Sequence, residues 1–320
     1  TTTGHSNAAL GTCALQENST GTYNVGLGPS ALRRCSTGHH NIAIGHAAGD
    51  HITSGEHNIC IGRNAGTDIA SGHSNVVIGY GAGADLTSNS NVILGRSCGN
   101  LISTGASHVA VGAYALSSAT SGGANNAFGV YALTNVTTGT DNVAVGKQAG
   151  QDVTTGSNNL FFGLDAGRSS SPSGSVSTGS NNVVLGDNNV TNLYCADTSI
   201  SSSDQRDKTD ITDFTKGLDW IKALRPVTYR WDRRTWYGTE EEPYGTPDGS
   251  KKRARLHVGF LAQEALAVEQ ANGYGTSNDD SLILNLTDDG MSYGMKYERL
   301  VPVLVNAIKE LSARLDAAGL

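Results

Sequence analysis

Along residues 4–190, glycine, asparagine and apolar residues recur with a period of 17 residues. The repeating unit reads G-x-x-N-φ-x-φ-G-x-x-A-G/L-x-x-φ-T-S/T, where φ is an apolar residue. A fixed short period sustained over so many copies is the signature of a repeat architecture. One unit is a residue short and lacks its glycine, and the units in order begin at Gly4, Gly21, Gly38, Gly55, Gly72, Asn89, Gly105, Gly122, Gly139, Gly156 and Gly179.

Positions 5 to 7 of the unit alternate apolar, small and apolar, as in Ile42-Ala43-Ile44 and Val143-Ala144-Val145. This period of two predicts a β-strand in each unit. Glycine at positions 1 and 8 and asparagine at position 4 predict corners, since these residues tolerate turn conformations. A third apolar position predicts a second, shorter strand at position 15, as at Ile52, Ile69, Leu86, Val136 and Val153.

A single unit buries too few side chains to offset the ordering of its backbone, so the units must stack. Because Ala, Val and Ile make a thin core, we favour several chains associated along a common axis. The expected fold class is therefore mainly β, a fibre of parallel strands from several chains, either intertwined or stacked. Intertwined chains and separate solenoids both fit the repeat, and a monomeric β-solenoid is the alternative.

Residues 203–320 change to a mixed pattern, which predicts a small α+β domain. Residues 216–225 predict a helix that ends at Pro226, and residues 257–272 predict a strand followed by a helix. The last helix carries apolar residues at alternating spacings of three and four, which predicts a short coiled-coil seam. The predicted trimer seam consists of Val301, Leu304, Ile308, Leu311 and Leu315.

The distribution of charged residues along the chain predicts the domain boundary. Residues 1–202 hold 6 Lys and Arg and 10 Asp and Glu, whereas residues 203–320 hold the remaining 16 and 19. We predict a repeat domain over 1–197, a linker over 198–202 and a second domain over 203–320. The net charge of −7 disfavours nucleic acid as a partner, and no apolar run is long enough for membrane insertion. The five scattered cysteines predict no disulfide framework, and we expect no metal or cofactor.

The boundary itself carries candidate chemistry, the segment Ser203-Asp204-Gln205-Arg206-Asp207-Lys208. Serine needs a base to become a nucleophile, and lysine serves as one only when burial or nearby cations make it neutral. Arg206 is a nearby cation of that kind. A separation of five residues brings Ser203 and Lys208 together only if a turn intervenes. The structural alternative is that Ser203 and Asp204 cap a helix.

Three ordered motifs in residues 203–320 resemble one known family, the C-terminal intramolecular chaperone of bacteriophage endosialidases and other tail spikes and fibres. They are SDQRDKTDI from Ser203, LHVGFLAQEAL at residues 256–266, and YERLVPVLVNAIKELSARL at residues 297–315. The resemblance implies a homotrimer that folds a β-fibre and then cuts itself between Ser202 and Ser203. It implies a Ser203–Lys208 dyad acting once in cis, with Asp204 and Arg206 in support and His257 in processing or folding.

The same resemblance implies a virion tail protein that acts at the host cell surface, with its chaperone made in the cytoplasm of the infected host. The expected partners are copies of the chain itself and a host receptor, either a glycan or an outer-surface protein. One alternative is a fragment of a capsule-degrading spike enzyme, although no glycosidase pair of carboxylates is evident in the repeat. Another is the head of a bacterial trimeric adhesin, whose repeats are similar.

Overall fold

The computed structural model of the chain describes residues 3–190, 192–193, 203–239, 242–287 and 290–319. It divides into two compact units, Thr1–Val190 and Thr191–Leu320. The predicted domain limit at residue 197 and the predicted linker 198–202 lie outside the described residues.

The first unit is a β-solenoid in which every 17-residue repeat contributes one strand of three residues. Each strand pairs in parallel and in register with the strand of the next repeat, so that Val25 lies beside Ile42 and Ile42 beside Ile59. The resulting sheet has 11 strands in sequence order. They are β1 Ala8–Leu10, β2 Val25–Leu27, β3 Ile42–Ile44, β4 Ile59–Ile61, β5 Val76–Ile78, β6 Val92–Leu94, β7 Val109–Val111, β8 Asn126–Phe128, β9 Val143–Val145, β10 Leu160–Phe162 and β11 Val183–Leu185.

The single chain supplies all of this pairing. Of the arrangements that the repeat left open, the structure has the solenoid rather than intertwined strands, because each strand finds its partners in neighbouring repeats of its own chain. The mainly β fold class and the small mixed region that follows are confirmed.

The core of the solenoid is filled from the middle of each strand. From β2 to β11 position 6 is buried, for example at Ala43, Cys60 and Ile93, whereas the apolar residues at positions 5 and 7 face outwards. Position 15 is also fully buried, as at Ile52, but it directly follows a turn, and the predicted second strand does not form in the described residues. That prediction was wrong because a buried apolar position does not require strand pairing.

Buried cysteines share this core. Cys35, Cys60 and Cys98 are buried and unpaired. Burial raises the pKa of the Cys60 thiol to about 12 and that of Cys98 to about 12. These thiols act as small apolar side chains, as the sequence predicts.

A ladder of buried asparagines runs along one corner. Asn58 shows the pattern: its backbone N–H and its Nδ2 both donate to Oδ1 of Asn41, at 3.1 Å each, and Nδ2 also donates to the carbonyl of Gly72 at 2.8 Å. Each amide thus satisfies polar groups of two turns in a buried place, where an unpaired polar group costs about 1–3 kcal/mol. This explains why position 4 is almost always asparagine.

The second unit is a small α/β region. A 3₁₀ turn over Gln205–Asp207 opens it, and further 3₁₀ turns lie at Arg234–Trp236 and Tyr297–Arg299. Trp220, Ile283, Leu284 and Val303 are among the buried residues that form its core. Its regular elements are α1 Leu218–Ala223, β12 Val227–Tyr229, β13 His257–Gly259, α2 Ala262–Ala271, β14 Leu284–Leu286, β15 Tyr293–Met295 and α3 Leu300–Ala318. Strands β12 and β13 pair antiparallel, as do β14 and β15.

Candidate active site

A tight turn follows Ser203. The carboxylate of Asp204 accepts a hydrogen bond from the backbone N–H of Arg206 at 2.9 Å and so caps the 3₁₀ turn Gln205–Asp207. The backbone N–H of Lys208 donates to the carbonyl of Gln205 at 3.2 Å and closes that turn. The backbone therefore turns between Ser203 and Lys208.

This turn brings together the two residues of the proposed dyad. Nζ of Lys208 donates a hydrogen bond to Oγ of Ser203 at 2.7 Å. The sequence required a turn for the two to meet, and Asp204 supplies it by capping. Both side chains are exposed in the single chain.

The 2.7 Å separation of Nζ and Oγ also suits the reverse hydrogen bond, in which a neutral amine accepts the serine proton, and base catalysis needs that direction. Removal of water is one physical cause that favours a neutral lysine. The predicted pair therefore lies within hydrogen-bonding distance, and its part in catalysis stays a prediction.

Arg206 forms an ion pair with Asp204, with Nη2 and Oδ2 2.6 Å apart. The hydrogen bond from Arg206 lowers the pKa of the Asp204 carboxyl, and the same contact raises the pKa of Arg206. Arg206 and Asp204 thus hold the turn together, and their predicted support of the Ser203–Lys208 pair stays a prediction.

His257 lies elsewhere in the second unit. It belongs to β13, its ring stacks on Tyr229 with centroids 5.5 Å apart, and it meets the edge of Trp231. Within the residues that the structure describes, His257 makes no hydrogen bond to Ser203 or Lys208. Its predicted part in processing stays a prediction. Ser202, on the other side of the proposed cut, lies outside the described residues.

The predicted trimer seam forms an outward face of α3. All five seam residues are exposed, from 43% at Leu304 to 67% at Ile308. A neighbouring face of α3 is buried in its own unit through Leu300, Val303 and Ala307. Side chains also fix the helix, since Asn306 Nδ2 donates to the carbonyl of Phe214 at 2.6 Å.

One buried acid went unnoticed in the sequence. Glu269 is fully buried at the end of α2, where its carboxylate accepts hydrogen bonds from Ser281 Oγ at 2.8 Å and from the backbone N–H of Ile283. An isolated glutamate in an amphipathic helix gives no signal for such a role. Glu269 ties α2 to the segment that leads into β14.

The described part of the chain holds no cluster of three or more His, Cys, Asp or Glu side chains placed to bind a metal ion. Among the same residues, no helix combines the length and apolar character needed to cross a bilayer.

Residues 203–274 match the family model described as chaperone of endosialidase. The match includes Ser203, Lys208 and the segment around His257, so the resemblance is confirmed over this range, while that of residues 297–315 stays a prediction. No curated protein and no solved structure matches the chain. A β-solenoid followed by this chaperone segment fits a tail spike with a C-terminal chaperone domain.

Proposed function

We propose, because an endosialidase-type chaperone segment follows a β-solenoid in this chain, that the protein is a phage tail fibre or spike for host attachment. Its C-terminal domain drives homotrimerisation and fibre folding, and then cuts the chain between Ser202 and Ser203. The observation that carries the cleavage proposal is the 2.7 Å hydrogen bond between Lys208 Nζ and Ser203 Oγ within the matched segment.

The proposed cleavage is a single turnover in cis. Oγ of Ser203 attacks the carbonyl carbon of Ser202 while neutral Lys208 accepts the hydroxyl proton. The C–N bond between the two residues breaks, Lys208 returns the proton to the amine of Ser203, and an ester links Ser202 to Oγ. One water then hydrolyses the ester, leaving a carboxylate on Ser202 and a free Oγ–H on Ser203. Proximity supplies much of the acceleration, because nucleophile and target belong to adjacent residues.

Self-processing coupled to assembly follows from the exposure of the pair. An exposed lysine is solvated, and water must be removed from it before it can act as the neutral base that the reaction needs. In the proposed trimer, a neighbouring copy covers this turn and supplies the desolvation. Cleavage then marks chains that have already assembled.

A separate chaperone has a physical purpose for such a repeat. Nearly identical units specify their alignment with a neighbouring copy poorly, since a slip by one unit loses contacts only at the ends. Association through the seam on α3 fixes stoichiometry and register before the fibres pack. Once the chaperone is released, an unfolded fibre has lost its nucleus, and its stability becomes kinetic.

The test compares the parent with Ser203→Ala and Lys208→Arg. We expect the parent to release the fragment 203–320, of 118 residues (320 − 202), and both variants to stay intact. Lys208→Arg is the sharper variant, because arginine can keep the hydrogen bond to Oγ but cannot act as a base at neutral pH. Denaturing gels and mass spectrometry of the new termini give the readout.

Asp213→Asn is the control, since Asp213 is an exposed acid downstream of the turn. It should cut as the parent does. Release of the same fragment from Ser203→Ala would show that another protease acts on the chain. An intact parent under conditions in which it forms trimers would refute self-cleavage.

A further inference from the structure

An apolar stripe runs along the outside of the solenoid sheet. From β2 to β11 the middle residue of every strand is buried, and the two residues that flank it are half-buried or exposed. Since the strands pair in register, position 5 forms one ridge and position 7 a second. We call these two ridges the outer stripe.

The outer stripe holds no charge. It comprises 22 residues (11 strands × 2), of which Asn126 is the sole polar one. By contrast, position 3, just before the stripe, carries a polar group in every unit except at Ala124. An apolar centre with a polar margin is the anatomy of a protein interface. The stripe residues are Ala8, Leu10, Val25, Leu27, Ile42, Ile44, Ile59, Ile61, Val76, Ile78, Val92, Leu94, Val109, Val111, Asn126, Phe128, Val143, Val145, Leu160, Phe162, Val183 and Leu185.

The size of the outer stripe calls for a protein partner. Strands about 4.8 Å apart give 11 of them a length of about 48 Å, and three residues give a width of about 10 Å. The flat area of about 500 Å² is at the upper end of apolar patches on monomers. It approaches the roughly 800 Å² per partner of a specific interface.

We infer that the outer stripe is where copies of this chain pack against one another along the fibre. A partner must present apolar side chains with the same rise per turn over the same length, and a parallel copy of the chain does so by construction. Glycan recognition needs directed hydrogen bonds, which aliphatic ridges do not offer. The inference rests on the proposed homotrimer, and it places part of the contact between the copies on the solenoid.

A photo-crosslinker on the stripe tests this contact directly. Benzoylphenylalanine replaces Phe128, which is similar in shape and 40% exposed, in the full chain carrying Ser203→Ala. Leu101, an apolar loop residue that is 44% exposed and lies off the stripe, is the matched control position. We expect covalent dimers and trimers from position 128 and monomers from position 101. Mass spectrometry should place the crosslink on the stripe of another copy, near its own β8.

The outcomes separate the two proposals. Trimers in sedimentation without a crosslink from position 128 would overturn the stripe as the contact and leave a trimer held by α3. Crosslinks from position 128 to residues 203–320 would overturn it as well. A monomer in sedimentation would overturn both the stripe contact and the homotrimer, whereas cleavage at Ser203 is decided separately by the gels.

A second variant covers the case in which the probe disturbs folding. Ile44→Lys with Ile78→Lys places two charges on the stripe at side chains whose tips are already exposed. We expect association at least tenfold weaker than in Leu101→Lys, with unchanged circular dichroism. Equal association of the two variants would contradict the inference.

Discussion

At the scale of single residues, His108 is the exception in the asparagine ladder. It occupies position 4 and is fully buried, and its Nδ1 accepts the backbone N–H of Asn125 at 3.2 Å. Its Nε2 is buried, and its polar neighbour, the carbonyl of Gly122, lies outside good hydrogen-bonding geometry. Burial lowers the pKa of His108 below its ordinary value, because the charged ring is poorly solvated there.

His108→Asn should stabilise the solenoid. An asparagine can make the contacts that Asn58 makes, including a bond to the carbonyl of the next leading glycine. We expect the free energy of unfolding to rise by about 1–2 kcal/mol, which is the cost of a buried polar group without a good hydrogen bond. Thermal or denaturant unfolding gives the measurement, with the exposed His46→Asn as the control.

The same substitution should change the dependence of stability on pH. The folded pKa of His108 is lowered, so below about pH 6.5 the unfolded chain binds a proton that the folded chain does not, and the free energy of unfolding falls as pH falls. Between pH 7.5 and 5.5 the advantage of His108→Asn should therefore grow steadily as pH falls. An advantage that is constant with pH would mean that folding leaves the pKa of His108 unchanged.

At the scale of the repeat element, the glycine after each strand decides whether turns can stack. Gly112 has φ of +136°, and a Cβ there would lie 2.5 Å from the carbonyl oxygen of Gly129 in the next turn. The position demands both a conformation that side chains rarely adopt and a close backbone approach. The corner predicted from the sequence is therefore also a contact between turns.

Gly112→Ala should destabilise the solenoid by about 3 kcal/mol or more, since the backbone strain and the clash add. Gly123→Ala is the matched control in the next unit, because its nearest neighbour would be the carbonyl oxygen of Ala106 at 3.4 Å. It should change stability by less than about 1 kcal/mol. Similar melting temperatures for the two variants would show that turns can separate at low cost.

At the scale of the whole molecule, both units leave an apolar row uncovered, the outer stripe on the solenoid and the seam on α3. A substitution in the seam tests the proposal that the chaperone domain nucleates assembly. Ile308→Glu places a charge in the middle of the seam and spares the face of α3 that packs on its own unit. We expect monomers and a lower yield of refolded fibre.

Ala313→Glu is its control, on the same helix but off the seam, and should sediment as the parent does. Sedimentation in the Ser203→Ala background keeps the chain whole during the comparison. Trimers of normal stability from Ile308→Glu would locate the nucleus elsewhere.

By itself, the sequence determined the period, the place of each strand and the glycine and asparagine corners, because these depend on local backbone preferences repeated many times. It also predicted a boundary near residue 203, where charge and pattern change and where the match to the family model begins. It did not determine which face of the strand is inside. Alternation places positions 5 and 7 on one face of the strand and position 6 on the other, but it does not show which face is buried. The interior of the solenoid is narrow and holds mostly small residues, such as Ala43 and Ala144.

Only the tertiary structure decided the remaining points. The distance between Ser203 and Lys208 depends on a turn that Asp204 caps, and a spacing of five residues is compatible with both close and distant side chains. The ion pair of Arg206 and the stacking of His257 on Tyr229 depend on neighbours that the sequence does not place. Local preferences set the elements, whereas the outward direction of the stripe and the geometry of the dyad follow from how those elements pack.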